Sequence, residues 1–301
     1  MSKSMRSEAS DIATTNEFRT RPMSLIPGDV ARPSVRSMAD KPLAVLAGWL
    51  VLGAVLGGLW EWAGRSNFVN PLLISYPSKI WQALREGLKG DLLTVDARYT
   101  LYAVVLGFTA SAIFGILAAF ALSQSAYVKK VVDPYLAALN SLPRVALAPL
   151  FLMWFGIGVM SHLMMAASLT FFVVLANTLA GIEGVDQDHL LLAKLQGASR
   201  WQTFRLFIVP SALPSIFVGL ELGFIFGMLG TVAGEMIVGE HGFGVRLQRA
   251  IGVFNIADYF ATLLVLVVIS AVIASMFRLA KRRLLRWQGF HLVTERGKVG
   301  P

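Results

Sequence analysis

The sequence predicts an all-α membrane protein with six transmembrane helices, and three observations lead to this class. Only 15% of the 301 residues are charged, whereas a soluble domain carries about 25%. The mean hydropathy is +0.64, and 55% of the residues are hydrophobic. Six apolar stretches approach the roughly 20 residues that a helix needs to cross a bilayer. The chain has no cysteine, which excludes a disulfide scaffold and a thiol-ligated metal centre.

The apolar stretches define the predicted spans in chain order. They cover residues 43–60, 101–123, 131–155, 160–182, about 211–238 and 259–277. The third span contains Pro134, Pro143 and Pro149. Its backbone is expected to break near Pro143, because proline removes a helical hydrogen bond. Six spans place both termini on the same side of the membrane.

Lysine and arginine indicate which side that is, since cytoplasmic segments are enriched in both. With both termini inside, the inner segments hold 19 of the 27 basic residues and the outer segments hold 7, while Arg144 lies within a span. We therefore predict that both termini are cytoplasmic. The net charge of +9 belongs mainly to these inner segments, and no nucleic-acid partner is predicted.

Three regions are predicted along the chain. Residues 1–41 form a polar cytoplasmic tail that is partly disordered. Residues 42–288 form the six-helix membrane domain, and residues 289–301 form a second cytoplasmic tail. The first apolar run starts too late for a secretory signal, so the first span is expected to be an uncleaved anchor.

The segment 76–90 predicts a short amphipathic helix on the outer membrane surface. Its apolar side chains share one helical face. The helix would either touch an extracytoplasmic partner or seal the bundle. Basic residues of the outer segments could meet acidic groups on such a partner: Arg85, Lys89, Arg246 and Arg249.

The inner segment 183–210 predicts two short helices joined at a glycine. Asp186 suits a helix start, where the helix dipole favours negative charge. Gly197 is expected to end the first helix. Ser199, with Gln202 three residues later, predicts a capping box at the start of the second helix.

This segment also carries a candidate docking surface. Trp201 and Phe204 provide an apolar face, and Arg200 and Arg205 flank it. A loop of this length usually has a function of its own. An exposed apolar patch with a basic rim is typical of docking onto another protein.

The run GASRWQTFRLFIVPSALP at 197–214 resembles the cytoplasmic signature loop of the membrane subunits of bacterial ABC importers. That loop has a Glu-Ala-Ala start, a glycine four residues after the last alanine, and a Leu-Pro near the next span. This chain has Leu191-Leu192-Ala193, then Gly197, then Val209-Pro210. Leu191 therefore replaces the acidic first position, which excludes a carboxylate contact there.

The resemblance extends over residues 71–288 and is to the nitrate, sulfonate and taurine branch of that superfamily. Three further stretches support it: YPSKIWQAL, DPYLAALNSLPRVALAPLFLMWFGIG and NTLAGIEGVDQDHL. It implies a type I ABC importer permease fold in the bacterial inner membrane. The solute implied is a small anion such as a sulfonate, taurine or nitrate, with a pyrimidine precursor or an aromatic acid as the alternative.

Partners follow from the same resemblance. It implies a second permease copy, expected to form a homodimer, and two ATP-binding subunits. A periplasmic or lipid-anchored binding protein would deliver the solute. The chain has no GxxxxGK[ST] phosphate loop, so ATP and Mg²⁺ would be used by the partner subunit. This chain is therefore not predicted to be an enzyme, and it is not predicted to bind a metal or a cofactor. The residues implied to couple to the ATPase are Ala193, Gly197, Ala198, Ser199, Trp201 and Phe204.

Polar side chains within the spans indicate a translocation path, because a charge at bilayer depth costs roughly 2.5–3.5 kcal/mol. Arg144 lies in the broken third span near Asn140 and would attract an anion, and Glu221 lies in the fifth span. The alternative for Arg144 is an ion pair with Glu221 or Glu235, or a side chain that reaches one membrane surface. Glu235 is close to the outer end of its span, where an interfacial position is expected.

Two stripes of small residues at a spacing of four predict close helix packing in lipid. Static packing and a sliding contact are both compatible with them. The stripes are Gly107, Ser111, Gly115 and Ala119 in the second span, and Gly219, Gly223, Gly227 and Thr231 in the fifth.

Two other classes of protein were weighed. A secondary transporter driven by an ion gradient would be built from internal repeats, and no clear repeat is visible. An intramembrane enzyme would need a nucleophile or a metal set, and the sequence shows neither.

Overall fold

The computed structural model describes residues 42–66 and 73–285. The predicted tails, residues 1–41 and 289–301, lie outside the described residues. The described part of the chain consists of helices and the turns between them. The helices are α1 Pro42–Arg65, α2 Pro77–Lys89, α3 Ala97–Ser123, α4 Ala126–Ser141, α5 Ala148–Phe155, α6 Val159–Glu183, α7 Gln187–Leu195, α8 Arg200–Thr203, α9 Val209–Ile237, α10 Phe243–Gly252 and α11 Ile256–Leu284.

Five helical segments are long and apolar enough to cross a membrane. They are Val45–Arg65, Leu92–Ser123, Val159–Glu183, Arg200–Ile237 and Ile256–Leu284. A sixth span exists if α4 and the segment Arg144–Phe155 are counted together, and these two parts meet at an angle of 80°. The predicted break is therefore confirmed, since the backbone is extended at Leu142 and Pro143.

The fifth span begins earlier than its apolar stretch predicts. A wide π-helical turn, Phe204–Ile208, joins α8 to α9, so that Arg200–Ile237 is one continuous helix. Pro210 has no N–H to donate, and the helix widens in the turn that precedes it. The second half of the predicted loop is thus physically part of a membrane helix.

The chain divides into two units, residues 1–56 and 57–301. In the first unit the structure describes residues 42–56, which are helical and whose side chains from Val45 onward are exposed. This is the pattern of a helix surrounded by lipid.

In the second unit, α6 packs against both α3 and α9, and these two helices also contact each other. Both small-residue stripes lie at these contacts. A Cβ added at Gly107 would lie 2.6 Å from the carbonyl oxygen of Leu163, and one at Gly227 would lie 2.6 Å from Thr170 Oγ1. The backbones can approach this closely only without a side chain. Both stripes therefore lie at helix contacts within one chain.

The predicted amphipathic helix is confirmed as α2. It packs along α11 and against the start of α3, with Ile80 and Leu84 buried. The buried cluster on this side of the bundle includes Ile80, Leu84, Leu92, Phe243, Leu247 and Val265. Trp81 and Leu88 remain exposed at the edge of the buried face.

Candidate functional site

The loop between α6 and α9 forms the two short helices that were predicted. The Asp186 side chain accepts a hydrogen bond from the Asp188 N–H at 2.9 Å, which caps α7. The N–H of Gln202 donates to Ser199 Oγ at 3.3 Å, and the N–H of Ser199 donates to Gln202 Oε1 at 2.8 Å. This reciprocal pair is the predicted capping box of α8.

Gly197 sets the angle between the two helices. Its φ is +73°, a conformation that glycine adopts without steric cost. The N–H of Gly197 donates to the Lys194 carbonyl, and the N–H of Ala198 donates to the Ala193 carbonyl, both at 3.0 Å. Ala193 itself is fully buried, so it supports the turn and is not exposed to a partner.

Four apolar side chains are exposed around this turn: Leu191, Leu192, Leu195 and Trp201, which we call the loop surface. Leu195 is 76% exposed and Trp201 is 66% exposed. Arg200 and Arg205, at its rim, are also exposed. Leu191 and Leu192, which replace the family's Glu-Ala start, thus form half of this surface, although sequence reasoning had treated them only as a departure.

Phe204 points inward, in contrast to Trp201. Its ring stacks on Trp201 with centroids 5.7 Å apart and packs edge-on against Phe120 of α3 at 5.1 Å. Only Trp201 of the predicted aromatic pair is therefore available to a partner. Phe204 connects the loop surface to the membrane helices.

Arg144 and Asn140 lie together at the break between α4 and α5. The Arg144 guanidinium donates to Asn140 Oδ1 and lies 4.4 Å from the ring centroid of Phe172. Phe172 is close to the middle of α6, a helix of 25 residues. Arg144 is thus held near mid-bundle, where no carboxylate of the described chain pairs with it.

Glu221 is not part of this group. It forms an ion pair with Arg278 of α11 at 2.8 Å. The expected alternative, in which Arg144 pairs with Glu221 or Glu235, does not occur, since both carboxylates have other partners.

Glu235 is buried, with 1% of its surface exposed, although it lies in the last turn of α9. Its carboxylate accepts hydrogen bonds from Thr100 Oγ1 at 2.8 and 3.0 Å and from the Gly244 N–H at 2.8 Å. A Cβ added at Gly242 would lie 2.4 Å from Glu235 Cδ. The Gly242-Phe-Gly244 turn is therefore built around the carboxylate, and sequence reasoning recognised the turn but not its partner.

A second polar group ties α10 to its neighbours. Arg246 donates to Asp258 at 2.7 Å and to Asp96 at 3.4 Å, while Asp96 accepts from the Gly242 N–H. Burial alone would lower the pKa of Arg246, but its bonds to Asp258 and Asp96 outweigh burial and raise it. Arg246 is thus neutralised within the chain and is not free to meet acidic groups of a partner.

Residues 111–286 match the family described as the inner membrane component of binding-protein-dependent transport systems. The chain is 33% identical to the riboflavin transport system permease protein RibX of Chloroflexus aurantiacus, over 75% of this chain and 83% of the relative. It is 31% identical to the taurine transport system permease protein TauC of Escherichia coli, over 78% and 88%.

A putative aliphatic sulfonates transport permease protein, SsuC of Bacillus subtilis, is 29% identical over 87% of this chain and 96% of the relative. Among solved structures, an amino acid ABC transporter crystallised with histidines superimposes with a TM-score of 0.51 at 20% identity. That superposition covers 65% of this chain and 93% of the other, and it supports the fold.

Proposed function

The chain belongs to the family of inner membrane components of binding-protein-dependent transport systems, and from that premise we propose that it lines the path of a small anion and is driven through its loop surface. It is a multi-pass permease subunit of an ABC importer, and ATP hydrolysis takes place in a separate subunit. The partner, the membrane orientation and the solute are proposed from the exposed loop surface and from the contacts of Arg144.

The exposure of the loop surface is the observation that supports the proposal most strongly. Four large apolar side chains around one turn are costly to expose unless a partner covers them. The capped turn holds them rigidly, so a partner loses little entropy in ordering them. We assign this surface to the ATP-binding subunit, and with six spans this assignment implies a cytoplasmic loop and cytoplasmic termini.

The assembly that follows contains two permease copies, two ATP-binding subunits and a periplasmic or lipid-anchored binding protein. We expect the two permease copies to be identical. Each loop surface would bind one ATPase, and closure of the ATPase pair would move the two loops together.

Arg144 supports an anionic solute. A guanidinium at mid-bundle that is held by an amide and an aromatic ring, with no carboxylate beside it, keeps a net positive charge. A sulfonate or another small oxyanion complements that charge, as do the substrates named for the taurine and sulfonate relatives.

A planar aromatic or heteroaromatic solute is the second candidate. Arg144 stacks on Phe172 and so presents a flat face, and the riboflavin permease is similar to this chain. This candidate includes aromatic acids and pyrimidine precursors, and it retains the same permease role.

Copurification with the cognate ATPase tests the role of the loop surface. Trp201→Asp places an unpaired charge in the contact and should lower the ATPase recovered with the permease by about tenfold or more. Gly197→Asp should act in the same direction by straining the turn.

Tyr127→Asp is the matched control, because Tyr127 is a 78% exposed aromatic residue at the start of α4, outside the loop surface. It should leave recovery unchanged. Wild-type recovery in both loop variants, with normal membrane insertion, would refute the assignment.

A further inference from the structure

An apolar groove of about 300 Å³ lies between the end of α1, α2 and α11. Apolar side chains line it, including Trp60, Trp81, Leu84, Phe260, Leu264 and Val267. Leu264 and Val267 are exposed on the outer face of α11, so the groove opens towards whatever surrounds the bundle. No role described so far involves it.

Polar contacts hold the groove open and in shape. Trp60 Nε1 donates to the Ser75 carbonyl at 2.8 Å, and the Trp60 ring packs edge-on against Phe260 at 6.0 Å. Glu61 accepts from the N–H and the hydroxyl of Ser78 at 2.9 and 2.7 Å, which fixes the first turn of α2. The groove therefore exists before anything binds to it.

A positive charge lies at its rim. The Arg85 guanidinium lies 5.3 Å from the ring centroid of Trp81, which itself lines the groove. Glu86 is engaged by Gln82, and within the described residues Arg85 forms no ion pair. Trp81, Arg85 and Leu88 form one exposed stripe along α2, apolar at both ends and cationic in the middle.

The groove lies at the membrane face opposite to the loop surface. Phe204 beside that surface touches Phe120 near the end of α3, whereas Gly87 of α2 packs on Leu92 just before α3 begins. The 27 residues of α3 span roughly 40 Å, enough to separate the two membrane surfaces. An amphipathic helix with tryptophan and basic residues at such a level lies in the headgroup region.

We propose that this groove is a binding site for an anionic phospholipid. One acyl chain occupies the apolar groove, and the phosphate of the headgroup pairs with Arg85. Both parts of the site fit that ligand and no simpler one, because a purely apolar molecule would leave the guanidinium unused and a soluble phosphate would leave the groove empty. The inference depends on the membrane location and not on the solute or on ATPase docking.

Native mass spectrometry of the purified transporter complex tests the site. The complex is equilibrated in mixed micelles with equal amounts of phosphatidylglycerol and phosphatidylcholine, and the lipids retained are counted. The wild type should retain phosphatidylglycerol in preference. Arg85→Gln should lower its retention about fivefold, the effect of one basic residue near an anionic headgroup.

Lys79→Gln is the matched control, since Lys79 is an exposed cation on the opposite side of the same helix. It should retain phosphatidylglycerol as the wild type does. Leu264→Trp fills the groove from an exposed position and should lower the retention of both lipids.

Three results would overturn the proposal. They are equal retention of the two lipids by the wild type, equal losses in Arg85→Gln and Lys79→Gln, and unchanged retention in Leu264→Trp. The third would mean that a protein surface, such as a second copy, covers the groove. ATPase copurification is recorded separately, so a failure of this site and a failure of the loop surface are distinguished.

Discussion

Arg144 and Glu235 show how differently two charged residues in membrane helices can be used. Glu235 accepts three hydrogen bonds and is sealed by a glycine turn, so its polar groups are satisfied within the fold. Arg144 has one amide partner and one aromatic ring, and its charge is not cancelled. The first arrangement is typical of a structural anchor, and the second leaves a charge available to a ligand.

Arg144→Ala should reduce uptake of an anionic solute by reconstituted transporter about tenfold or more, the loss expected for one charge-assisted hydrogen bond. Assembly with the ATPase should persist, because Arg144 is remote from the loop surface. Arg283→Ala, which removes an exposed arginine at the end of α11, serves as the control and should transport normally. Wild-type uptake by Arg144→Ala would show that the guanidinium is structural.

Glu235→Ala leaves the Gly244 N–H and the Thr100 hydroxyl without their acceptor. Each such group costs about 1–3 kcal/mol when buried, so the thermal midpoint in detergent should fall by several degrees. Glu240→Ala removes an exposed carboxylate five residues later and should leave the midpoint unchanged. Equal midpoints for the two variants would mean that the polar group around Glu235 adds no stability.

Among the elements, those that depend on local chemistry could be predicted from the sequence. Proline predicted the break before Arg144, Gly197 predicted the turn, and Ser199 with Gln202 predicted the cap of α8. Each of these signals acts within about four residues, so no tertiary information is needed.

The partners of polar side chains could not be predicted in this way. Thr100 and Glu235 are 135 positions apart, and only the packing of α3 beside α9 brings them together. Glu61 caps α2 from 17 positions away, across the residues 67–72 that lie outside the described part of the chain. Periodicity places an element in a bundle, but it does not show which face of which helix it meets.

The π-helical turn Phe204–Ile208 affects how a movement of the loop is passed to the membrane helices. α8 and α9 form one continuous helix, so a displacement of α8 is passed to α9 through continuous backbone. At the other end of the loop, α6 is already in close contact with α9, because a Cβ added at Gly181 would lie 3.0 Å from the Ala212 carbonyl oxygen. We therefore expect a displacement of the loop to move both α6 and α9.

At the scale of the whole molecule, α3, α6 and α9 form one closely packed group of three helices. Their backbones are in close contact at the glycines, and close-packed interiors change by discrete repacking and not by continuous deformation. For the proposed pair of permease copies, we expect the motion that opens and closes the path to occur between the two copies or at the break between α4 and α5. Phe120 of α3 contacts Phe204, which in turn stacks on Trp201 of the loop surface.

Phe120→Ala should uncouple the transporter. It removes the ring that Phe204 packs against, so α3 no longer follows the loop surface directly. In proteoliposomes with the ATPase and the binding protein, solute transported per ATP hydrolysed should fall several-fold, while the ATPase still copurifies. Phe120→Trp keeps an aromatic contact and should restore most of the ratio.

Phe114→Ala is the control on the same helix, because that ring is 65% exposed and does not face the loop. It should leave the ratio of transport to hydrolysis unchanged. A wild-type ratio in Phe120→Ala would show that force reaches α3 only through α6 and α9. Loss of ATPase copurification in that variant would instead mean that Phe120 shapes the docking surface, since a coupling residue that acts after docking cannot affect binding of the motor.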